Sequence, residues 1–162
     1  MSIHLRFSSL VVVALACMGV GCAGVGLRPD GTPESEKCPK RAMETMARLG
    51  LTPGDGTFIV ADISLTDQEP ARFVEGPVVG VMDVRPMGGI PVGTRLYGRV
   101  WTGGSEAVIR YYEAELPDGR RLPICAVAQD AGGGLVKRPD SPPGSAFLPD
   151  SGTGLSIVSV FP

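Results

Sequence analysis

Short runs rich in valine and isoleucine lie between glycine and proline residues along most of the chain after position 55. This arrangement is typical of short β-strands connected by turns. The clearest hairpin is marked by Asp118-Gly119, because these two residues accept the backbone angles of a tight turn. We predict six strands, at residues 57–64, 77–85, 94–101, 107–116, 120–128 and 155–161.

One short helix is predicted before the strands. Pro39 suits a first helical turn, and Gly50 followed by Pro53 is a stop signal. The apolar residues between them recur at helical spacing and are Ala42, Met43, Met46, Ala47 and Leu49. Sheets of such short strands are stable only when closed or covered, so the predicted fold is mainly β, a small antiparallel barrel or sandwich. Residues 130–154 are predicted to form a long, mobile loop, because their composition is of low complexity.

The first residues have the pattern of an export signal. Arg6 is followed by an apolar run from Leu10 to Val20, and small residues then lead to Cys22. The run is roughly half of the ~20 residues that a membrane-spanning helix needs, which favours cleavage after export over a permanent span. We therefore divide the chain into a signal peptide at 1–21, a flexible tether at 22–37 and a single β-rich domain at 38–162.

The segment Gly19-Val20-Gly21-Cys22 resembles the end of a bacterial lipoprotein signal, in which a cysteine after a small residue becomes the new N-terminus and receives lipid. The resemblance implies lipid attachment at Cys22 and anchoring in the membrane. Gly19 stands where such signals usually have leucine, and Cys17 is a second, earlier candidate. A plain secreted protein cut nearby is the alternative. Ala23-Gly24, rather than an aspartate, follows Cys22, and among lipoproteins this implies the outer membrane, on its periplasmic or surface face.

Two further resemblances concern the rest of the chain. The segments PVGTRLYG (91–98) and LPDG (116–119) resemble units of the periplasmic β-barrel domain of the type IV secretion channel scaffold protein. This likeness lies between residues 88 and 128 and implies the fold type only. The chain after the leader is also similar to small predicted lipoproteins that sometimes carry a serine/threonine-kinase label. Kinase activity is excluded, because the sequence has no glycine-rich phosphate loop, HRD or DFG element.

Export would remove the only histidine in the chain, His4. The remaining domain would lack the usual general base near neutral pH and every histidine-ligated metal site. We therefore expect no cofactor, no metal and no catalytic residue. The formal net charge of −2 also disfavours nucleic acid as a partner, because nucleic-acid binders need a basic surface.

Two cysteines would remain once Cys17 is discarded and Cys22 is acylated. In an oxidising compartment, an isolated pair such as Cys38 and Cys125 is more often a disulfide than two free thiols. The crosslink would stabilise the domain by roughly 4 kcal/mol in the chain-entropy model. The alternative is a redox or metal pair, although the spacing matches neither a C-x-x-C motif nor a set of metal ligands.

Alternation along the strand at 94–101 predicts one apolar face and one face that combines arginines with large aromatic residues. Such a mixture is common in binding hot spots and in sugar-stacking surfaces. Alternatively, the helix or the long loop covers this face and the arginines extend along the rings to solvent. The predicted partner-binding residues are Arg95, Tyr97, Arg99 and Trp101.

Together these patterns predict a membrane-anchored envelope lipoprotein that acts as a binding or structural module. Its expected partners are the membrane, through the lipid, and an envelope protein or cell-wall glycan. The competing hypothesis is an enzyme that acts on cell-wall glycan or peptide through carboxylates, for which Glu113 and Glu115 share a strand face. Exposed positions on a strand explain these two glutamates more simply.

Overall fold

The computed structural model of the protein describes residues 25–61 and 71–162. These residues contain one helix, α1 (Lys40–Arg48). The strands are β1 (Glu36–Lys37), β2 (Gly56–Ala61), β3 (Ala71–Val74), β4 (Gly76–Met82), β5 (Arg95–Trp101), β6 (Glu106–Glu115), β7 (Arg121–Gln129), β8 (Leu135–Val136), β9 (Ser145–Leu148), β10 (Gly152–Ile157) and β11 (Val160–Phe161).

Six strands close into an antiparallel barrel. β2, β4, β5, β6, β7 and β10 follow each other around the wall in chain order, and β10 pairs with β2 to complete the circle. The prediction of a mainly β fold with one short helix is confirmed, and the barrel is the form adopted. Closure leaves none of these six strands with an unpaired edge, which explains how such short strands remain stable.

The six predicted strands correspond to the six barrel strands. The last one differs most, because β10 begins at Gly152 and ends at Ile157, and Val160–Phe161 forms the separate strand β11. The predicted end of the first strand, at residues 62–64, lies outside the described residues. The barrel interior contains side chains that are at most 1% exposed: Ile59, Met82, Leu96, Ile109, Tyr111, Ala114, Ile124, Ala126, Leu155 and Ile157.

Tyr111 fills the middle of the barrel and requires glycine on the facing strands. A Cβ added at Gly80 would lie 2.8 Å from the Tyr111 hydroxyl, and one added at Gly98 would lie 2.8 Å from its ring. Burial raises the pKa of the Tyr111 phenol well above its usual range. The two glycines therefore provide the space for this ring rather than flexibility.

Helix α1 packs on the outside of β7. Its Met46 is 1% exposed, and the backbone N–H of Cys125 donates to the Met46 sulfur at 3.4 Å. The Cys38–Cys125 disulfide joins the residues just before the helix to this strand, with 5.9 Å between the two Cα atoms. The predicted disulfide is thus present, and it holds the helix against the barrel wall.

Residues 130–154 are more ordered than predicted. They contain β8 and β9, and β9 pairs with β3 over four residues. Leu135, Ala146 and Leu148 are buried, which gives these short segments an apolar anchor. The prediction of one long mobile loop is wrong here, because short strands between glycine and proline residues resemble loops in composition.

Within the described part of the predicted tether, residues 25–37, the backbone from Asp30 onward contacts the barrel. Leu27 and Pro33 form an isolated β-bridge with each other inside the segment, whereas the Glu34 carbonyl oxygen accepts a hydrogen bond from Arg110 of β6, and β1 pairs with β11. A Cβ added at Gly103, in the β5–β6 turn, would lie 2.5 Å from the Asp30 carbonyl oxygen, so the segment lies tightly against this turn. These contacts are made by the segment's backbone, and they leave no pattern of side chains in the sequence.

The predicted signal peptide and the proposed lipidation site, Cys22, lie outside the described residues. Within the described residues, no helix combines the length and apolar character needed to cross a membrane.

Candidate functional site

The predicted partner-binding residues of β5 face outward, but they do not form one open surface. Arg95 and Arg99 are exposed, and Tyr97 is half-buried. Trp101 is buried at 3% exposure. The strand alternation therefore identified the correct side of the sheet. The prediction that Trp101 is available to a partner is wrong, because other residues of the chain cover it.

Arg110 explains the burial of Trp101. Its guanidinium carbon lies 5.3 Å from the centre of the Trp101 ring and 5.3 Å from that of Phe161 in β11. The exposed Arg99 lies against the same tryptophan, at 5.7 Å. Arg99 and Arg110 are directly opposite each other in the β5–β6 ladder. The buried Trp101 ring thus makes cation–π contacts with one buried and one exposed guanidinium group.

The Arg110 side chain is fully buried and attaches both ends of the described chain to the barrel wall. One of its terminal nitrogens donates to the carbonyl oxygens of Glu34 at 2.7 Å and Pro162 at 2.5 Å. Its other terminal nitrogen lies 3.6 Å from a carboxylate oxygen of Glu36. Burial raises the pKa of the neighbouring Tyr112, and Arg110 opposes this shift. We call Arg110 with the backbone of residues 33–36 and 160–162 the Arg110 clasp.

Tyr97 belongs to a second, more exposed cluster on the same face. Its hydroxyl donates to Glu115 at 3.1 Å, and the Arg121 guanidinium lies 5.0 Å from the centre of its ring. Arg121 also pairs with Glu115 at 2.8 Å and with Glu113 at 3.2 Å, and these carboxylates raise its pKa. The two glutamates of the enzyme hypothesis are therefore ion-paired with one arginine at the barrel surface.

A groove on the opposite side of the barrel was missed by the sequence analysis. It runs along the outer face of β10 and has a volume of about 550 Å³, within the range of small-molecule sites. Phe58, Gly154 and Gln129 are aligned across three neighbouring strands and form its centre. We call this region the β10 groove.

The β10 groove combines an exposed aromatic ring with polar groups. Phe58 is 55% exposed although it lies within a barrel strand. The Gln129 amide nitrogen donates to the Ser156 hydroxyl at 2.6 Å. The charged residues of the lining are Arg85, Asp130 and Asp150. The sequence alone does not indicate this groove, because Phe58 lies within the predicted strand at 57–64 and Gly152 and Gly154 lie within the predicted loop at 130–154.

The described residues contain no group of three or more histidine, cysteine, aspartate or glutamate side chains placed to hold a metal ion. No protein-family model matches the chain, and a search of curated proteins finds no match.

Proposed function

We propose that this protein is a lipid-anchored binding module of the bacterial envelope, with the β10 groove as its ligand site. The observation that carries the binding role is a concave groove with an exposed phenylalanine on the wall of a closed barrel. Exposed aromatic residues in a concave setting are typical of ligand sites. The strands that form the centre of the groove are paired on both sides within a closed sheet, so its shape would need little adjustment on binding.

The anchoring role rests on the leader sequence and on the chemistry of the two remaining cysteines. A disulfide that joins a helix to a barrel strand is suited to an oxidising compartment, which agrees with export. The contact between the N-terminal segment and the barrel limits how far Cys22 can lie from the barrel. Asp30, which lies against the β5–β6 turn at Gly103, is eight positions after Cys22, and eight extended residues span at most about 29 Å. A lipid on Cys22 would hold the barrel close to the membrane surface.

Metabolic labelling with a fatty-acid analogue in a bacterial host tests the anchor. The wild-type protein and the Cys17→Ser control should both incorporate the label, and Cys22→Ser should not. Label on Cys22→Ser together with its loss from Cys17→Ser would move the site to Cys17. The absence of label from all three proteins would refute the lipid anchor.

A further inference from the structure

We propose that the β10 groove binds a neutral saccharide that carries an N-acetyl group, with one sugar ring stacked on Phe58. This inference deepens the proposed function, because glycans of this chemistry are available outside the cytosol.

The Phe58 ring is kept open by the residue beside it. Gly154 is its direct neighbour across the β2–β10 ladder and has no side chain to cover the ring. A Cβ at this position would lie 2.7 Å from the Gln129 carbonyl oxygen, so the close packing of the strands excludes a larger residue. The electron-rich face of an aromatic ring attracts the weakly positive C–H groups of a sugar ring. An exposed phenylalanine next to a required glycine is therefore a ready stacking platform.

The polar groups around this platform match the hydroxyl and amide groups of a sugar. The Gln129 side chain offers both a donor and an acceptor, and the Ser156 hydroxyl can act as either. Asp130 and Asp150 add carboxylate acceptors for hydroxyl groups. Leu148 and Val136 supply an apolar wall of suitable character for an acetamido methyl group.

The same features disfavour other occupants. The lining has two aspartates and one arginine, so a phosphate or an acidic headgroup would meet net repulsion. The β10 backbone is paired with β2 on one side and β7 on the other. A peptide therefore cannot bind here by adding a strand, which is the usual backbone-mediated mode. A saccharide can bind without free backbone groups, because side chains and the face of the Phe58 ring supply its contacts.

The experiment uses the full chain, purified in lipid nanodiscs and titrated with a β-1,4-linked N-acetylglucosamine tetrasaccharide by isothermal titration calorimetry. We expect saturable binding to the wild-type protein. Phe58→Ala should weaken it about tenfold, the equivalent of ~1.4 kcal/mol. Gly152→Val should weaken it similarly by placing methyl groups in the groove. A Cβ at Gly152 has its nearest neighbour 3.9 Å away, so this variant should fold normally.

Val92→Ala is the matched control, because Val92 is an exposed apolar residue outside the groove. Its affinity should remain within twofold of wild type. Thermal unfolding of all four proteins verifies that they are folded. The proposal is overturned if the wild-type protein does not bind the tetrasaccharide, or if Phe58→Ala and Gly152→Val bind it as wild type does. Phe58-dependent binding of dodecanoate in place of the tetrasaccharide would also overturn it. Fatty-acid labelling is scored separately, so a negative titration with intact labelling refutes the saccharide and leaves the anchor standing.

Discussion

Replacing Arg110 by methionine tests whether the Arg110 clasp fixes the N-terminal segment. Methionine keeps an unbranched chain against Trp101 but removes the guanidinium. Two short hydrogen bonds from a charged donor, to Glu34 and Pro162, are lost. Each such bond contributes about 1.5–3 kcal/mol. The substitution also removes a buried charge with only a distant carboxylate partner, which offsets part of the loss. We expect the free energy of unfolding to fall by about 3 kcal/mol.

Urea denaturation measures this change, and limited proteolysis locates it. A glutamate-specific protease can cut after Glu34 and Glu36, which lie in the clasp. Cleavage there should be slow in the wild-type protein and faster in Arg110→Met. Arg99→Met is the control, because Arg99 is directly opposite Arg110 in the ladder but exposed. Its stability should stay within about 0.5 kcal/mol of wild type. If Arg110→Met matched Arg99→Met in both assays, the clasp would not hold the segment.

Three further changes test other parts of the fold. Cys38→Ser should lower the free energy of unfolding by about 4 kcal/mol, because the disulfide closes a loop of 87 positions, and reduction of the wild-type protein should give the same urea midpoint. Gly98→Ala should cost about 2–3 kcal/mol, since an added Cβ would collide with the Arg110 carbonyl oxygen, whereas Gly152→Ala should be neutral. Folding raises the pKa of Tyr111 because the phenol is buried. The free energy of unfolding should therefore be independent of this group below pH ~10 and should fall above it, by up to ~1.4 kcal/mol per pH unit. Tyr111→Phe should flatten this alkaline decline in urea titrations, and an unchanged slope would exclude Tyr111 as its source.

The strands and the disulfide could be predicted because their signals are local or chemical. The barrel strands are runs of β-branched residues between turns, and Asp118-Gly119 marks one hairpin directly. Cys38 and Cys125 were predicted to pair because export would leave no other free cysteine. Neither prediction required knowledge of contacts between residues that are far apart in the sequence.

The burial of Trp101 and the Arg110 clasp could not be predicted in the same way. Alternation tells which side of a sheet a residue faces, but not what covers that side. Arg110 bonds to backbone carbonyl oxygens 76 positions away, at Glu34, and 52 away, at Pro162. Backbone acceptors leave no pattern of side chains in the sequence. The β10 groove was missed for a related reason, because Phe58 and Gly154 are neighbours only through strand pairing.

Thiol trapping in intact cells tests export and anchoring together. Cells that express the full chain are quenched with acid, and the denatured protein is treated with a polyethylene-glycol maleimide before and after reduction. Of the four cysteines, Cys17 should be lost with the leader and Cys22 blocked by lipid. We therefore expect no adduct before reduction and two after it, at Cys38 and Cys125. Four adducts without reduction would show an uncleaved leader and free thiols, and would contradict the proposal of an exported, lipid-anchored barrel.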